Sequence, residues 1–369
     1  MKFVYFTHSL ASCWNHGNAH FLRGVLRELI AKGHEVAAYE PAGAWSLQNL
    51  IKDHGEGGLE AYRAAYPELS SRTYEDFLEL DLPLSNADVV IVHEWNEPWL
   101  VAALGRKRRR GARFTLLFHD THHRAVSDPE AIRQFDLDGY DGILAFGETL
   151  AEVYRRWGWG RRVFVWHEAA DTRLFHPPAT EGRRDGLVWI GNWGDDERSA
   201  ELETFLLRPA QTVGLPLDIY GVRYPGHALA TLDRHGVSYR GWLPNPKAPE
   251  VFARHLATVH VPRRFYVDRL PGIPTIRVFE ALACGIPLVS APWRDAEGLF
   301  RPGQDYLVAH DEAEMERVLM ALRDDADLRR SLAENGLVTI RNRHTCAHRA
   351  DELLAVTASL GASPLEMTA

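Results

Sequence analysis

Short apolar runs alternate with amphipathic stretches of helical period along almost the whole chain. Residues 2–6 (KFVYF), 35–39, 88–93, 114–118, 142–146 and 163–166 read as buried strands. Between the first two, residues 19–31 place Phe21, Leu22, Val25, Leu26 and Leu29 on one helical face. The pattern stops at HEAADTRLFHPPATEGRRDG, where Pro177, Pro178 and the polar stretch to Asp185 break regular structure. It restarts at 187–190 and continues through 217–220, 238–240, 258–261, 287–290 and 306–308. Helical patterns over 275–284 and 312–322 lie among these strands, and the last fifty residues read as helix only. Such alternation predicts parallel sheets covered by helices on both faces, in two doubly wound domains that divide near residue 178 and face a cleft.

Composition narrows the class. The 369 residues are 46% hydrophobic and 25% charged, an ordinary globular balance with length for two cores. A net charge of -8 excludes a protein that coats nucleic acid. The longest apolar run, 99–104, is far short of the ~20 residues that span a bilayer. Leu10-Ala11-Ser12-Cys13 looks like a lipoprotein cleavage box, but Thr7, His8 and Ser9 spoil the apolar stretch before it. Cys13, Cys284 and Cys346 are too few and too scattered for a disulfide framework or a metal cage, so the expectation is a cytoplasmic protein.

Ligands of doubly wound sheets bind beyond the carboxyl ends of strands. After the first strand, Gly17 and Asn18 stand at a helix start whose N–H groups suit a phosphate or a sugar hydroxyl; Asn18 reads equally as a plain N-cap. The dinucleotide fingerprint GxGxxG is absent, which removes the best support for a nicotinamide enzyme. LLFHDTHHRAVSDP ends another strand with His119, Asp120, His122 and His123, whose spacing matches no standard zinc signature. His119 and Asp120 are therefore read as cleft residues and the other two as solvated loop. Glu94 and His16 occupy comparable loops and compete as general base, Glu94 otherwise capping the next helix. FDLDGYDG precedes a strand, so Asp136 and Asp138 read as turn residues rather than a metal-binding D-x-D, and GDDER at 194–198 reads as acidic helix capping.

The most informative stretch is VPRRFYVDRLPGIPTIRVFEALACGIPLVSAPW. Its helix start near Thr275, with Arg264 and Arg277 close in sequence, suits a pyrophosphate held without metal. Glu280, farther along that helix, suits both hydroxyls of an attached ribose, or else pairs with Arg277 three residues before it. RKRRR at 106–110 reads as a solvated face; weak peripheral attraction of Arg106–Arg110 to an anionic membrane is its functional alternative.

Several segments together resemble a known family. RVFEALACGIPLVSAPW, GLFRPGQDYLVAHDEAEMERVLMALRDDADLRRSLAENG and RHTCAHRADELL, in that order and spacing, are similar to the C-terminal half of GT-B glycosyltransferases. They are nearest the group-1, spore-maturation (CgeB-type) branch, which CWNHGNAHFLRGVLRELIAKGHEVAAYEP and HEWNEPW also fit. The resemblance implies an α/β, GT-B architecture of two Rossmann-like domains: 1–178 on the acceptor side, 179–345 for the donor, and 346–369 crossing back onto the first. It implies a transferase that, like most group-1 relatives, is retaining, with a nucleoside-diphosphate sugar as co-substrate (UDP favoured, uracil and guanine both left open) and no other cofactor; the helix start at Thr275 with its arginines, and the D-x-D that precedes a strand, add the expectation that no divalent metal is needed. Glu280 matches the glutamate that grips the ribose, and Thr275, Ile276 and Arg277 match the helix start at the donor phosphates. Gly191 and Asn192 match the glycine-containing loop after the first strand of the donor domain. Tyr220, Gly221, Arg240, Gly241 and Leu243 match segments lining the nucleobase pocket. One departure stands out: of the usual E-x7-E pair, the first position here is Gly272. A nucleotide-sugar epimerase and a catalytically silent binding module fit the same scaffold. The acceptor (glycan, lipid, protein or small molecule) is left open.

Overall fold

The computed structural model describes residues 1–15, 17–76, 81–179 and 182–361. They form two compact units: Met1–Glu168 joined by the helix Cys346–Gly361, and Ala169–Thr345. The division falls ahead of residue 178 because Ala170 is bridged to Thr345 and donates its N–H to the His344 carbonyl at 3.0 Å. The start of the Pro-rich segment is thereby tied into the second unit.

The first unit contains β1 (Lys2–Phe6), β2 (Glu35–Pro41), β3 (Ser71–Tyr74), β4 (Val89–His93), β5 (Thr115–Asp120), β6 (Gly142–Ala145) and β7 (Val163–Val165). Their order is β3-β2-β1-β4-β5-β6-β7, and every pairing is parallel. The sequence pattern misses β3, a polar edge strand whose two central residues are exposed. It also ends β5 two residues early. His119 and Asp120 pair in register with Leu144 and Ala145, so both belong to the strand and not to the loop after it.

The second unit contains β8 (Leu187–Ile190), β9 (Leu217–Tyr220), β10 (Ser238–Gly241), β11 (Ala257–His260), β12 (Leu288–Ser290) and β13 (Leu307–Val308). Their order is β10-β9-β8-β11-β12-β13, again parallel throughout. In each sheet the winding direction reverses beside the first strand, at β1/β4 and at β8/β11. Crevices at such switch points are where ligands of doubly wound sheets bind. The helix Ile276–Ala283 joins β11 to β12, buries six apolar side chains and so fixes its own N-terminus at the carboxyl edge of β11.

The basic run closes the helix Pro98–Arg109, and three of its cations are engaged. Lys107 meets Asp81 at 2.6 Å, Arg108 grips both oxygens of Asp141, and Arg109 lies 3.5 Å from Asp136. No helix of the described residues is long and apolar enough to cross a membrane.

Candidate active site

At the β8/β11 switch point a buried cation joins the two loops. Arg198, 7% exposed, donates through Nη1 to the Val261 carbonyl (2.6 Å), through Nη2 to that of Asn192 (2.7 Å) and through Nε to that of Trp193 (3.5 Å). All these acceptors are neutral carbonyls. Burial lowers its pKa to about 10, which leaves it charged at neutral pH. A buried charge without a hydrogen-bonded carboxylate is costly to fold around, and its field stays available to an anion. The expectation that GDDER caps a helix fails here. Arg198 itself is the cap residue, makes no side-chain cap bond, and follows Asp195 and Asp196, both at positive φ.

The loops after β8, β9 and β10 are laced together. Gly191 donates to the Tyr220 carbonyl, Gly221 to that of Gly241, and Asn192 Oδ1 accepts from Val222 N–H. A Cβ on Gly221 would lie 2.1 Å from the Gly191 carbonyl oxygen, so the close approach requires glycine. Gly191, Asn192, Tyr220, Gly221 and Gly241 thus share one edge, with Leu243 packed against the core nearby. Two expected members are turned elsewhere. Arg240 holds Asp218 at 3.1 Å, and Arg264, 54% exposed, holds Glu201 at 2.8 Å. Arg263 is the arginine of that pair that reaches the loop after β8, through Glu197 and Asp195.

Thr275 caps the helix Ile276–Ala283 without a side-chain bond, and its first turn holds no acidic residue. Those N–H groups and the helix dipole favour an anion. Glu280 is 1% exposed; its Oε1 accepts from Asn245 Nδ2 (2.9 Å) and its Oε2 from Arg277 Nη1 (2.5 Å). Gly272 lies at φ +98°, where a glutamate would be strained, and the room its side chain would need is filled: Glu297 Oε1 lies 3.3 Å from the position of a Cβ. A carboxylate is therefore present beside position 272, delivered from another loop.

In the first unit the loop after β1 is anchored from below. Buried Glu40 accepts from Ser9 Oγ and from the N–H groups of Leu10 and Ala11, and Arg23 donates to the carbonyls of the same two residues. The loop delivers Gly17 as the N-cap of the helix Asn18–Ala31. Asn18 is the first helical residue and not the cap. Its amide is buried, and neither polar atom has a hydrogen-bond partner. An unsatisfied amide at a switch-point helix start is what a ligand hydroxyl or phosphate oxygen would complete. His16 lies outside the described residues.

His119, Asp120 and Glu94 depart from the expected cleft positions, for all three are fully buried. His119 sits against Tyr5, Phe21, His93 and Trp166, and burial pushes its pKa down to about 3. Asp120 accepts from Tyr154 Oη (2.6 Å) and from His122 N–H (2.9 Å), yet burial raises its pKa to about 6. Glu94 receives Arg124 Nη2 at 2.9 Å; burial first, and the Asp120 charge second, raise it well above the carboxylate range. At neutral pH these strand ends hold a neutral imidazole and a pair of carboxyls that disfavours double ionisation.

The two halves of the chain match glycosyltransferase family models. Residues 17–174 match the model described as Glycosyltransferase Family 4, and residues 198–355 the one described as Glycosyl transferase-like. The chain belongs to the GT-B glycosyltransferases. As a fold, this glycosyltransferase is similar to sucrose-phosphate synthase from Thermosynechococcus elongatus, with TM-score 0.64, 14% identity, and 98% of this chain and 99% of that one covered. It is similar to Anabaena HepE solved with UDP and glucose (TM-score 0.66, 12% identity, 97% and 100% covered). It is also similar to T4 phage BGT solved with UDP and Mn2+ (TM-score 0.61, 11% identity, 97% and 99% covered). No match was found among curated proteins.

Sequence reasoning missed Arg198, Asn245 and Glu297. Only Arg198 left a signal, as an arginine soon after a strand and a glycine; the other two reach the site from loops remote in sequence.

Proposed function

We propose that this glycosyltransferase takes a sugar from a nucleoside-diphosphate donor, UDP-linked by preference, and passes it with retention to an acceptor bound by the first unit, without a divalent metal. The observation that carries the reading is Arg198. A permanent buried charge at the second unit's switch point, with the Thr275 helix start on the adjoining strand, matches the diphosphate that must depart. Both stabilise charge where it develops, which is the largest usual source of catalysis in such sites. Glu280 would hold the ribose, and Glu297 would supply the carboxylate that Gly272 lacks. Retention asks for no external base, which suits a first unit whose His119, Glu94 and Asp120 are sealed from solvent. The UDP in the HepE and BGT structures supports that nucleotide. Among the described residues no three His, Cys, Asp or Glu side chains gather as metal ligands, although the BGT structure contains Mn2+. The order of motifs over 277–354 supports the CgeB-type branch, and the cysteine pattern a cytoplasmic site of action. Peripheral membrane contact would draw on Arg106 and Arg110, which carry no ion pair among the described residues.

Calorimetry with UDP tests the carrying observation. Arg198→Met should weaken UDP by roughly 10–150-fold, the worth of one charge-assisted contact, with Arg198→Lys in between. Equal UDP affinity in both variants and the wild type overturns the reading.

A further inference from the structure

Of eleven tryptophans in the chain, three of those described are more than one-third exposed: Trp45 at 43%, Trp95 at 41% and Trp99 at 42%. All three stand at the carboxyl edge of the first sheet. Trp45 opens the helix after β2, Trp95 lies in the turn after β4, and Trp99 is the second residue of the helix that follows. Tryptophan carries too much apolar surface to be left in water by default, and three at one edge form a surface built for contact.

Each indole is seated on a fixed underlayer. Trp45 rests edge-on against buried Trp14, with ring centroids 5.2 Å apart, and near His8 at 6.2 Å. Trp14 is pinned by its Nε1 donating to Asp53 at 3.0 Å. Trp99 meets buried Tyr74 at 6.3 Å, and Tyr74 donates to Asn96. Asn96 in turn donates to the carbonyls of Phe6 and His93, fixing the turn that bears Trp95. Trp95 itself is flanked by the Arg124 guanidinium at 3.9 Å and by His122 at 5.2 Å. The rings are held in place before any ligand arrives.

We infer that this rim is the acceptor subsite and that the acceptor is a neutral oligosaccharide. The inference rests on the acceptor lying with the first unit, and it names the substrate class. Charge excludes phosphate-bearing acceptors. Residues 7–17, 42–45 and 94–99 contain no Lys or Arg, and the guanidinium beside Trp95 is turned to Glu94, donating to both its carbonyl and its carboxyl group. Burial lowers the His8 pKa to about 4, so that imidazole adds no cation at neutral pH. A lipid phosphate, a nucleic acid or a phosphopeptide would find no lysine or arginine on these three loops. Span excludes a small planar acceptor. β2 and β4 flank β1, so the loops bearing Trp45 and Trp95 are about 10 Å apart at the usual strand spacing, more than one ring can bridge. Linked hexoses present successive apolar C–H faces for the indoles, and hydroxyls for the imidazoles between them.

Saturation-transfer NMR on the full chain tests this with maltotetraose, cellotetraose, tetra-N-acetylchitotetraose and mannotetraose, against the matching monosaccharides and phosphatidylglycerol vesicles. At least one tetrasaccharide should bind, with its monosaccharide about tenfold weaker or worse. Trp95→Ala and Trp45→Ala should each lower that affinity by about tenfold or more, and Trp95→Tyr should restore most of it. UDP affinity, read by calorimetry on the same samples, should not change, so loss of the donor reading and loss of this one are separable. Binding to none of the four, equal binding by monosaccharide and tetrasaccharide, retention in both alanine variants, or preference for the vesicles overturns the inference.

Discussion

Glu280→Gln is the most informative single change, because two roles for that carboxylate compete in one place. The side chain is 1% exposed and holds Asn245 Nδ2 at 2.9 Å and Arg277 Nη1 at 2.5 Å. Glutamine keeps the shape and one acceptor but loses the charge. As a structural link alone, breaking a buried pair costs about 3–5 kcal/mol at most and lowers the melting temperature. As the ribose acceptor, it loses in addition a charge-assisted hydrogen bond of about 1.5–3 kcal/mol, or roughly 10–150-fold in UDP affinity. The melting temperature therefore falls either way, and only affinity separates the roles. Calorimetry with UDP and 2′-deoxy-UDP on wild type and variant closes a thermodynamic cycle. If the carboxylate accepts from the ribose, the two losses are not additive, and the variant discriminates the two nucleotides by at least about 1 kcal/mol less than wild type. Additive losses, or a variant with wild-type UDP affinity, refute the ribose role and leave Glu280 as a brace for Asn245 and Arg277.

Other consequences follow from the same geometry. Glu297→Gln should lower turnover by about 10²-fold or more with UDP affinity unchanged, since its carboxylate stands beside Gly272; unchanged turnover removes it from the chemistry. His260 donates through Nδ1 to Ser290, which donates onward to the Ala291 carbonyl, and burial pushes its pKa down to about 3. The unfolded chain binds that proton near pH 6.5 and the folded chain does not, so stability is full above 6.5 and falls as pH drops toward 3. Urea titrations at pH 7 and pH 5 should show His260→Asn losing about 2 kcal/mol less than wild type over that interval; equal losses contradict the sealed imidazole. Asp120, raised to about 6, acts in the opposite sense but is common to both proteins.

Much of the scaffold was written in the apolar periodicity. β1, β8 and β9 begin and end where the pattern puts them: β1 and β8 are buried parallel strands that read as nearly continuous apolar runs, and in β9 buried Leu217 and Ile219 alternate with half-buried Asp218 and Tyr220. β3 escaped because SRTY is a polar edge strand with only its last residue buried. The site was less legible, for a physical reason visible at β5. A strand that ends in His119-Asp120 is indistinguishable in sequence from one that ends at Phe118 and is followed by a polar loop. Only the pairing with β6, and the aromatic cage around His119, show that these polar groups lie inside the unit. The placement of Thr275 at the start and Glu280 in the second turn of one helix was legible because helical spacing fixes position, whatever role each plays. Asn245 and Glu297 were not, because Asn245 meets Glu280 and Glu297 meets Gly272 through tertiary contacts that no local pattern encodes.

One measurement is decisive: release of nucleoside diphosphate from a panel of UDP- and GDP-sugars, with the four neutral tetrasaccharides as acceptors and excess chelator present. UDP should accumulate from at least one UDP-sugar at a rate the chelator does not change, and Arg198→Met should suppress it. Return of the donor with an altered sugar, tight binding without release, or release that the chelator abolishes and Mn2+ restores would each contradict this reading.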